Sequence, residues 1–397
     1  MTEPHPTDEA LPLAGLVVAD FSRILAGPLC TMILADLGAD VIKIERPGQG
    51  DDTRSWGPPF VEGDAAYFLS INRNKRSIVL DLNDAGDLEL AAGIVNRADV
   101  VVENFRPGVM ASFGLDYDTV AVDNPGLVYC SIPAFARSAD KASLPGYDLL
   151  MQAFSGFMSI TGEKDGEPVK MGVAILDVVA GLYGVVAILA ALRQRDSFGS
   201  SRRVQVGLFE ASIATLVNQA ANYLIGGTVP AANGNAHPNI VPYQSFTGRD
   251  GKFVVAAGND KLFQATCRAM DREDLLADSR FTSNAERVKN RELLTDEMEG
   301  TFGSASVGHW VKMLADAGVP AAPVRSIEEV FEAPESQAMV SMVDDPVRGL
   351  LPLVRSPIDN IGMASDSTRP PPRLGEHQEE IRSWVKVTPL RTGEVPS

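Results

Sequence analysis

The chain has 397 residues, of which 45% are hydrophobic and 22% are charged, and its net charge is −17. This composition is typical of a globular chain with a sizeable core and argues against a membrane protein. The acidic balance and the scattered Lys and Arg residues argue against nucleic acid or anionic lipid as partners. The leading class is an enzyme that acts on small molecules.

Neither targeting signals nor metal-binding motifs narrow the class of protein further. The opening segment "MTEPHPTDEALPLAG" is acidic and lacks the pattern of a secretory or organelle-targeting peptide, so a cytoplasmic location is expected. Cys30, Cys130 and Cys267 lie far apart with no CxxC spacing. That spacing suggests neither a disulfide framework nor a zinc site, and no metal site is predicted.

Short Val- and Ile-rich runs alternate with helical stretches from Leu16 to Phe209. In chain order these are "LVVADFS", "GPLCTMILADLGA", "VIKIE", "RSIVLDL", "DLELAAGIVNRA", "DVVVEN" and "LVYCSIPAF". Such alternation predicts an α/β fold with a parallel, Rossmann-like sheet and a ligand at the carboxyl ends of its strands. No GxGxxG follows the first strand, so a dinucleotide phosphate loop is not expected.

The pattern of predicted secondary structure changes after a predicted long helix from Phe209 to Ile225. A polar loop, the strand "KFVVAAG" and amphipathic helices follow, which predicts a smaller α+β domain. We expect a large domain over 1–225, a small domain over 226–325, and a segment over 326–397 that returns to the large domain. Its "TRPPPRLGEH" stretch is expected to be an extended arm on the surface.

The apolar run Gly172–Leu192 contains one charged residue, Asp177. The run is long enough for a membrane helix, but "KMGVAIL" has strand character and Asp177 is expected at the turn before a buried helix. Asp177 then has two interpretations, the N-cap of that helix or a catalytic carboxylate, and spacing alone does not separate them.

Ordered motifs along most of the chain resemble the class III CoA-transferases, the family that includes formyl-CoA transferase, carnitine CoA-transferase and the α-methylacyl-CoA racemases. The matching segments are "LAGLVVADFSRILAGPLCTMILADLGADVIKIERPGQGDDTR", "YFLSINRNKRSIVLDL", "VVENFRPGVMASFGLDY", "GYDLLMQAFSGFMSITG" and "GVAILDVVAGLYG". Three others, "ERPGQGDDTRSWGPPF", "ANYLIGG" and "GNAHPNIVPYQSF", look most like the dicarboxylate branch. The resemblance also implies an interlocked homodimer.

The resemblance implies that Asp177 attacks an acyl-CoA donor, such as succinyl-CoA, and carries aspartyl anhydride and aspartyl-CoA thioester intermediates. Coenzyme A is then a substrate, and no permanent cofactor is expected. Asp148 falls where the family has a second acid near the active site, but as the N-cap of the helix "LLMQAFSGFM" it is equally well explained. Tyr147 stands where the racemases have a catalytic histidine, and since a phenol ionises near pH 10 it is a poor base, which favours a transferase.

The positions that match the family's CoA contacts are Leu25, Ala26, Arg46, Leu80, Asn104 and Phe105. Three cations lie beside them as plausible phosphate partners: Lys75, Arg76 and Arg106. Taken singly, each cation is more often a solvated surface residue. Leu25 replaces the glutamine of formyl-CoA transferase, which argues against formate or oxalate as a substrate.

The loop "AANGNAHPNIVPYQ" is the lid candidate, with Gly234, Asn235 and His237 in it. His237 is either a general base or a structural hydrogen-bond donor or acceptor. Arg23, Arg54 and Arg137 are candidates for the distal carboxylate of a dicarboxylate. Ala134, Ala136 and Ala139 stand where relatives often have glycine, so the loop they form is expected to take another path. A racemase or a CoA-binding protein without catalysis remains the alternative.

Overall fold

Alternating strands and helices occupy the first half of the chain, as the sequence predicts. The computed structural model describes residues 11–138, 140–141, 143–199, 202–358 and 368–390. Within them the strands are β1 (Val17–Asp20), β2 (Asp40–Glu45), β3 (Phe60–Val61), β4 (Asp64–Ala65), β5 (Lys75–Val79), β6 (Val100–Glu103), β7 (Val128–Ser131), β8 (Arg202–Gln205), β9 (Tyr243–Gly248), β10 (Gly251–Ala256), β11 (Ala321–Pro323), β12 (Val340–Asp345) and β13 (Gly349–Val354).

The helices of the described residues run from a short turn to 24 residues in length. They are α1 (Ala26–Asp36), α2 (Ala66–Ser70), α3 (Ala85–Val95), α4 (Val109–Ser112), α5 (Tyr117–Asp123), α6 (Asp148–Phe154), α7 (Ile175–Phe198), α8 (Leu208–Thr215), α9 (Val217–Leu224), α10 (Asp260–Ala269), α11 (Asp274–Ala277), α12 (Asn284–Lys289), α13 (Arg291–Phe302), α14 (Val307–Asp316), α15 (Ile327–Glu332), α16 (Pro334–Gln337) and α17 (Gln378–Val387).

A parallel sheet in the order β5-β2-β1-β6-β7-β8 organises the first half of the chain. Val18 of β1 pairs with Val41 on one side and with Val100 on the other. Helices cover the sheet, so β1, β6 and β7 are buried along their whole length and have no polar face. Numbered along the chain, these strands lie 3-2-1-4-5-6, the Rossmann-like order, whose ligand crevice opens between the first and fourth strands. The predicted α/β fold with a parallel sheet is confirmed.

The apolar run around Asp177 forms α7, the core helix of this sheet. By length and composition α7 is apolar enough to cross a membrane, but half of its most apolar stretch is buried inside the protein. It packs closely on α1, where a Cβ at Gly181 would lie 2.7 Å from the carbonyl oxygen of Ala26. Glycine is required there because any side chain would push the two helices apart. This close packing is typical of a core helix.

The chain divides into two compact units. The first comprises Met1–Ser155, Met171–Gly226 and Ala338–Ser397, and the second Gly156–Lys170 and Gly227–Gln337. The sequence expectation placed the return to the large domain at 326 and did not anticipate that Gly156–Lys170 joins the second unit. In the first unit, the Pro-rich arm is held by backbone contacts, since the carbonyl of Pro372 accepts from Arg54 and His377 N–H donates to Ser77 O.

The second unit has its own sheet and core. The strands β9, β10 and β11 form an antiparallel sheet in the order β11-β10-β9. Aromatic side chains pack around Phe302 in this core, with the ring centroids of Phe246, Phe253 and Trp310 lying 4.9 to 5.2 Å from that of Phe302. Such edge and tilted contacts stabilise a core beyond the area that they bury.

Two local expectations are wrong. The segment "KMGVAIL" forms no strand, because α7 already begins at Ile175 with Ala174 as its N-cap. The predicted helix from Phe209 to Ile225 is two helices, α8 and α9, separated where Val217 adopts a positive φ of 40°. The Thr215 hydroxyl bonds to the carbonyl of Ala211 one turn earlier, an arrangement that bends helices.

Candidate functional site

Segments that follow the carboxyl ends of β1, β6 and β7 enclose a cavity of about 440 Å³ in the first unit. The predicted residues that it brings together are Leu25, Ala26, Asn104, Phe105, Arg106, Tyr147 and Asp177. They come from distant parts of the chain, and parallel strands place their carboxyl ends at one edge of the sheet. The cavity therefore lies where the sequence predicts a ligand.

A second cavity of about 180 Å³ adjoins the first and shares Arg23, Phe105 and Val109 with it. Its lining includes Arg46 and Leu80, which follow β2 and β5. The two cavities together follow the carboxyl edge of the sheet from β5 to β7. A long ligand with an apolar and an anionic part fits such an arrangement.

The turn after β1 shapes the wall between the two cavities. Ile24 adopts a φ of 73°, which β-branched residues rarely do. Its neighbour Arg23 is held on both sides, because Arg23 N–H donates to Asn104 Oδ1 at 2.9 Å and Asn104 Nδ2 donates to Arg23 O at 2.7 Å. Asp51 Oδ1 also accepts from Ile24 N–H at 3.3 Å. These bonds fix a strained backbone at the cavity wall.

Asp177 is the third residue of α7 and is only 6% exposed. The expectation that Asp177 is the N-cap is wrong, since Ala174 occupies that position. Burial, and to a lesser extent the charge of Asp148, raise the pKa of Asp177 to about 7. A carboxylate that is poorly hydrated but placed in a helical first turn combines nucleophilic reactivity with partial stabilisation of its charge.

Asp148 lies beside Asp177 and caps the helix that carries it. Its Oδ1 accepts from the N–H of Leu176 at 2.9 Å, and its Oδ2 accepts from Gln152 Nε2 at 2.5 Å. Asp148 is not the N-cap of its own helix α6, because Tyr147 occupies that position. The capping alternative is therefore wrong as stated, and the hydrogen bond runs to the first turn of α7 instead.

Tyr67 is a residue of this region that the sequence did not single out. Its half-buried ring stacks on Trp56 at 5.7 Å and packs near Leu25. Burial, then the charges of Asp177 and Asp148, raise the pKa of Tyr67 to about 12. The hydroxyl is therefore protonated at neutral pH and available as a donor close to both aspartates. A tyrosine inside the apolar run "YFLSIN" resembles ordinary core packing, so only the fold reveals its position.

Two predicted cations lie away from the cavities. Lys75 is fully buried at the start of β5 and donates to Asp20 Oδ2 and Pro28 O at 3.1 and 2.8 Å, and burial lowers the pKa of Lys75 to about 8. Arg76 pairs with Asp40 and Glu380 at the amino ends of the strands, beside a separate cavity of about 520 Å³. That larger cavity lacks Asp177 and its neighbours.

Arg54, one of three candidates for binding the distal carboxylate, is engaged in contacts within the protein. Its guanidinium pairs with Glu45 at 2.7 Å and Asp64 at 2.9 Å and lies 3.6 Å from the ring centre of Phe68. Arg137 is exposed, and its N–H donates to Glu210 Oε1 at 2.8 Å. Arg23 lines both cavities.

The two alanines that the structure describes in the segment before Arg137 have ordinary backbones. Neither Ala134 nor Ala136 belongs to the described non-glycine residues with positive φ. The N–H of Ala136 donates to both carboxylate oxygens of Glu210, at 3.2 and 3.1 Å. Ala139 lies outside the described residues.

The lid candidate belongs to the second unit, where its residues contact one another. Gly234 N–H donates to Gly162 O, and Asn235 Nδ2 donates to Ser245 Oγ at 3.1 Å. His237 Nδ1 accepts from Asn239 N–H at 3.1 Å, and burial together with Arg291 lowers the pKa of His237. His237 therefore makes a structural hydrogen bond within its own loop, and its role as a base stays a prediction.

Metal binding has no support in the part of the chain that the structure describes. No group of three or more His, Cys, Asp or Glu side chains there is arranged to hold a metal ion. The lining of the two cavities includes Arg23, Arg46 and Arg106, whose guanidinium groups can bind phosphate or carboxylate. The smaller cavity is also lined by the carboxylates of Glu45, Asp51 and Asp81.

Asp177→Asn is expected to stabilise the fold above pH 7. A raised pKa means that Asp177 adds stability only while it is protonated, and this contribution is lost as the pH rises from about 4 to about 7. A shift of about three pKa units corresponds to about 4 kcal/mol, so the variant gains up to that amount at pH 8 and little at pH 4. Urea unfolding at both pH values measures the difference, and equal stability of variant and wild type at pH 8 would contradict it.

Comparisons with known proteins agree on one family. The model of CoA-transferase family III matches residues 13–378. The "Succinate--glutarate CoA-transferase" of Agrobacterium fabrum is 42% identical, with 95% of this chain and 96% of the relative covered. The "Succinyl-CoA:glutarate CoA-transferase" of Homo sapiens is 38% identical, with 94% and 86% covered. A solved CAIB/BAIF family protein from Brucella suis is 42% identical with a TM-score of 0.82, and 95% of this chain and 100% of that chain are covered.

Proposed function

The chain belongs to CoA-transferase family III, and we propose that it moves CoA from an acyl-CoA such as succinyl-CoA to a dicarboxylic acid through covalent intermediates on Asp177. The observation that carries the proposal is the buried carboxylate of Asp177 on the wall of the cavity where the predicted CoA contacts converge. The CoA thioester is the substrate of this reaction.

In the first half-reaction the Asp177 carboxylate attacks the thioester carbonyl. A C–O bond forms, the C–S bond breaks, and CoA leaves as the thiolate. The thiolate then attacks the Asp177 carbonyl of the anhydride and releases the donor acid as its carboxylate. The product is an aspartyl-CoA thioester, which retains the energy of the donor, so that no ATP is needed.

The second half-reaction reverses these steps with the acceptor. Its carboxylate attacks the aspartyl thioester, CoA thiolate leaves, and the thiolate attacks the acceptor carbonyl of the second anhydride. Asp177 is then free again as a carboxylate. Burial of Asp177 favours both halves, because a dry wall keeps water from the anhydrides and weakens the solvation of the nucleophile.

The cavity residues have assigned roles in this proposal. The first turn of α1, at Ala26 and Gly27, supplies backbone N–H groups to the developing oxyanion. Tyr67, which packs near Leu25 outside the cavity lining, donates its hydroxyl to an acyl oxygen. CoA lies along the two cavities and contacts the side chains and backbone of Leu25, Ala26, Arg46, Leu80, Asn104, Phe105 and Arg106. Lys75 and Arg76 are omitted because neither lines the two cavities.

A dicarboxylate acceptor is supported by the relatives that are named for succinate and glutarate. Its distal carboxylate needs a cation. Arg23 is the proposed partner, because it lines the Asp177 cavity and its 3.3 Å ion pair with Asp52 is partly exposed to solvent. Arg54, by contrast, is buried in its pairs with Glu45 and Asp64. Arg137 remains the second candidate.

We also propose that the protein is an interlocked homodimer in the cytoplasm. Exposed apolar side chains along α7 and α9 support a self-association surface, among them Tyr183, Val186, Tyr223 and Leu224. Burying such side chains in a partner would remove them from water.

Initial rates with succinyl-CoA and glutarate test the proposal. Varying both substrates should give parallel double-reciprocal lines, since a covalent half-reaction separates the two. Labelled succinate should also exchange into succinyl-CoA without any acceptor. Absence of exchange, with α-proton exchange of a branched acyl-CoA instead, would point to a racemase, and binding of CoA without either reaction would point to a non-catalytic protein.

A further inference from the structure

Gln152 is fully buried in α6, and both ends of its amide are used. Its Nε2 donates to Asp148 Oδ2 at 2.5 Å, and its Oε1 accepts from the N–H of Met171 at 2.8 Å. A buried amide with both functions satisfied holds its partners firmly, because breaking either bond leaves a buried polar group unpaired.

The two partners of Gln152 bracket the chain that leads into Asp177. Met171 begins this segment, and Asp148 Oδ1 accepts from the N–H of Leu176, the residue before Asp177. One buried side chain is thereby connected to both ends of the segment from 171 to 176. Asp148 links Gln152 to Leu176, and the orientation of the Asp148 carboxylate depends on the hydrogen bond from Gln152.

We infer that Gln152 is a positioning residue for the nucleophile: through Asp148 and Met171 it fixes the first turn of α7 and with it the direction of the Asp177 carboxylate. This inference rests on the proposed function of Asp177. It assigns no contact with substrate to Gln152, and it predicts that the chemical step depends on Gln152 more than binding does. A role in stability alone predicts no selective loss of kcat.

Two substitutions separate these roles. Gln152→Met keeps the volume but removes the donor to Asp148, and a hydrogen bond to a charged group of this strength corresponds to a loss of about 10- to 100-fold in kcat, with KM changed less than about threefold. Gln152→Glu keeps an oxygen for Met171 N–H. When protonated, its carboxyl still donates to Asp148, and when ionised it repels Asp148.

The Gln152→Glu variant should therefore lose activity relative to wild type as the pH rises from 6 to 8.5. The helices packed against α6 are α7 and α8. The titratable groups on these elements are Asp148 on α6, Glu210 on α8, and Asp177, Tyr183, Arg193, Arg195 and Asp196 on α7, and Lys170 directly precedes Met171. The carboxylate of Glu210 accepts from the backbone N–H groups of Ala136 and Arg137.

The experiment measures kcat, KM and the rate of covalent adduct formation for Gln152→Met, Gln152→Glu and the control Asn124→Leu, at equal folded fractions. Asn124 is a buried amide bonded to the carbonyls of Val95 and Ala98, so its loss tests destabilisation alone. A fall in kcat and adduct rate in Gln152→Met at each pH, and in Gln152→Glu as the pH rises from 6 to 8.5, with Asn124→Leu unchanged, supports the inference. Unchanged kcat in Gln152→Met, or equal losses in the control, overturns it.

Asp177→Ala, measured beside them, keeps the two proposals apart. If Asp177→Ala is inactive and the Gln152 variants retain full kcat, only the positioning role fails. If Asp177→Ala retains activity, the proposed nucleophile itself is wrong.

Discussion

Replacing Asp177 with Asn should reduce acyl transfer by about 10⁴-fold or more while CoA binding changes little. An amide has no charged oxygen to attack the thioester, but it has the size of the carboxyl group and leaves the cavity lining unchanged. Steady-state rates with succinyl-CoA and glutarate measure the first effect. Calorimetric titration with CoA measures the second.

Glu379→Gln is the matched control for this loss. Glu379 is an exposed acid in the first turn of α17, in the same unit, so its substitution removes one helical carboxylate without touching either cavity. Its rate should equal that of wild type. Residual turnover above about 1% in Asp177→Asn would mean that another group carries the acyl chain.

The decrease of kcat/KM on the acidic side of its pH profile, the acid limb, should reflect the protonation of Asp177. Its pKa is raised to about 7, and only the ionised form attacks, so kcat/KM should fall about tenfold for each pH unit below that value. At pH 5 the rate should be about 100-fold below the plateau. The measurement is kcat/KM from pH 5 to 9 with the folded fraction monitored at each point.

Asp148→Asn should move that limb to lower pH, because the charge of Asp148 contributes to the raised pKa of Asp177. The asparagine oxygen can still accept from the N–H of Leu176. A profile that stays flat to pH 5 in wild type, or a limb that does not move in Asp148→Asn, would mean that Asp177 is not the titrating group.

Local patterns predict the sheet well because short Val- and Ile-rich runs between helices have few alternatives in a soluble domain. The residues after those strands, such as Leu25 and Asn104, then meet at one edge for topological reasons alone. The apolar surroundings of Asp177 are also visible in sequence, since one acid stands in a run of 21 residues, Gly172–Leu192.

Partners distant in the chain explain most of what the sequence could not predict. Lys75 and Arg76 resemble phosphate ligands until Asp20 and Asp40 are found beside them. The start of α7 depends on a cap from Asp148, and Gln152 acquires its importance only through Met171. Neither contact leaves a periodic or compositional signal in the chain.

Trapping the covalent intermediate tests directly whether Asp177 is the nucleophile. Wild type and Asp177→Ala are incubated with succinyl-CoA, treated with hydroxylamine, digested, and analysed by mass spectrometry. A hydroxamate on Asp177 is expected in wild type and none in the variant. A hydroxamate on another residue, or none with any acyl-CoA donor despite measurable transfer, would contradict it.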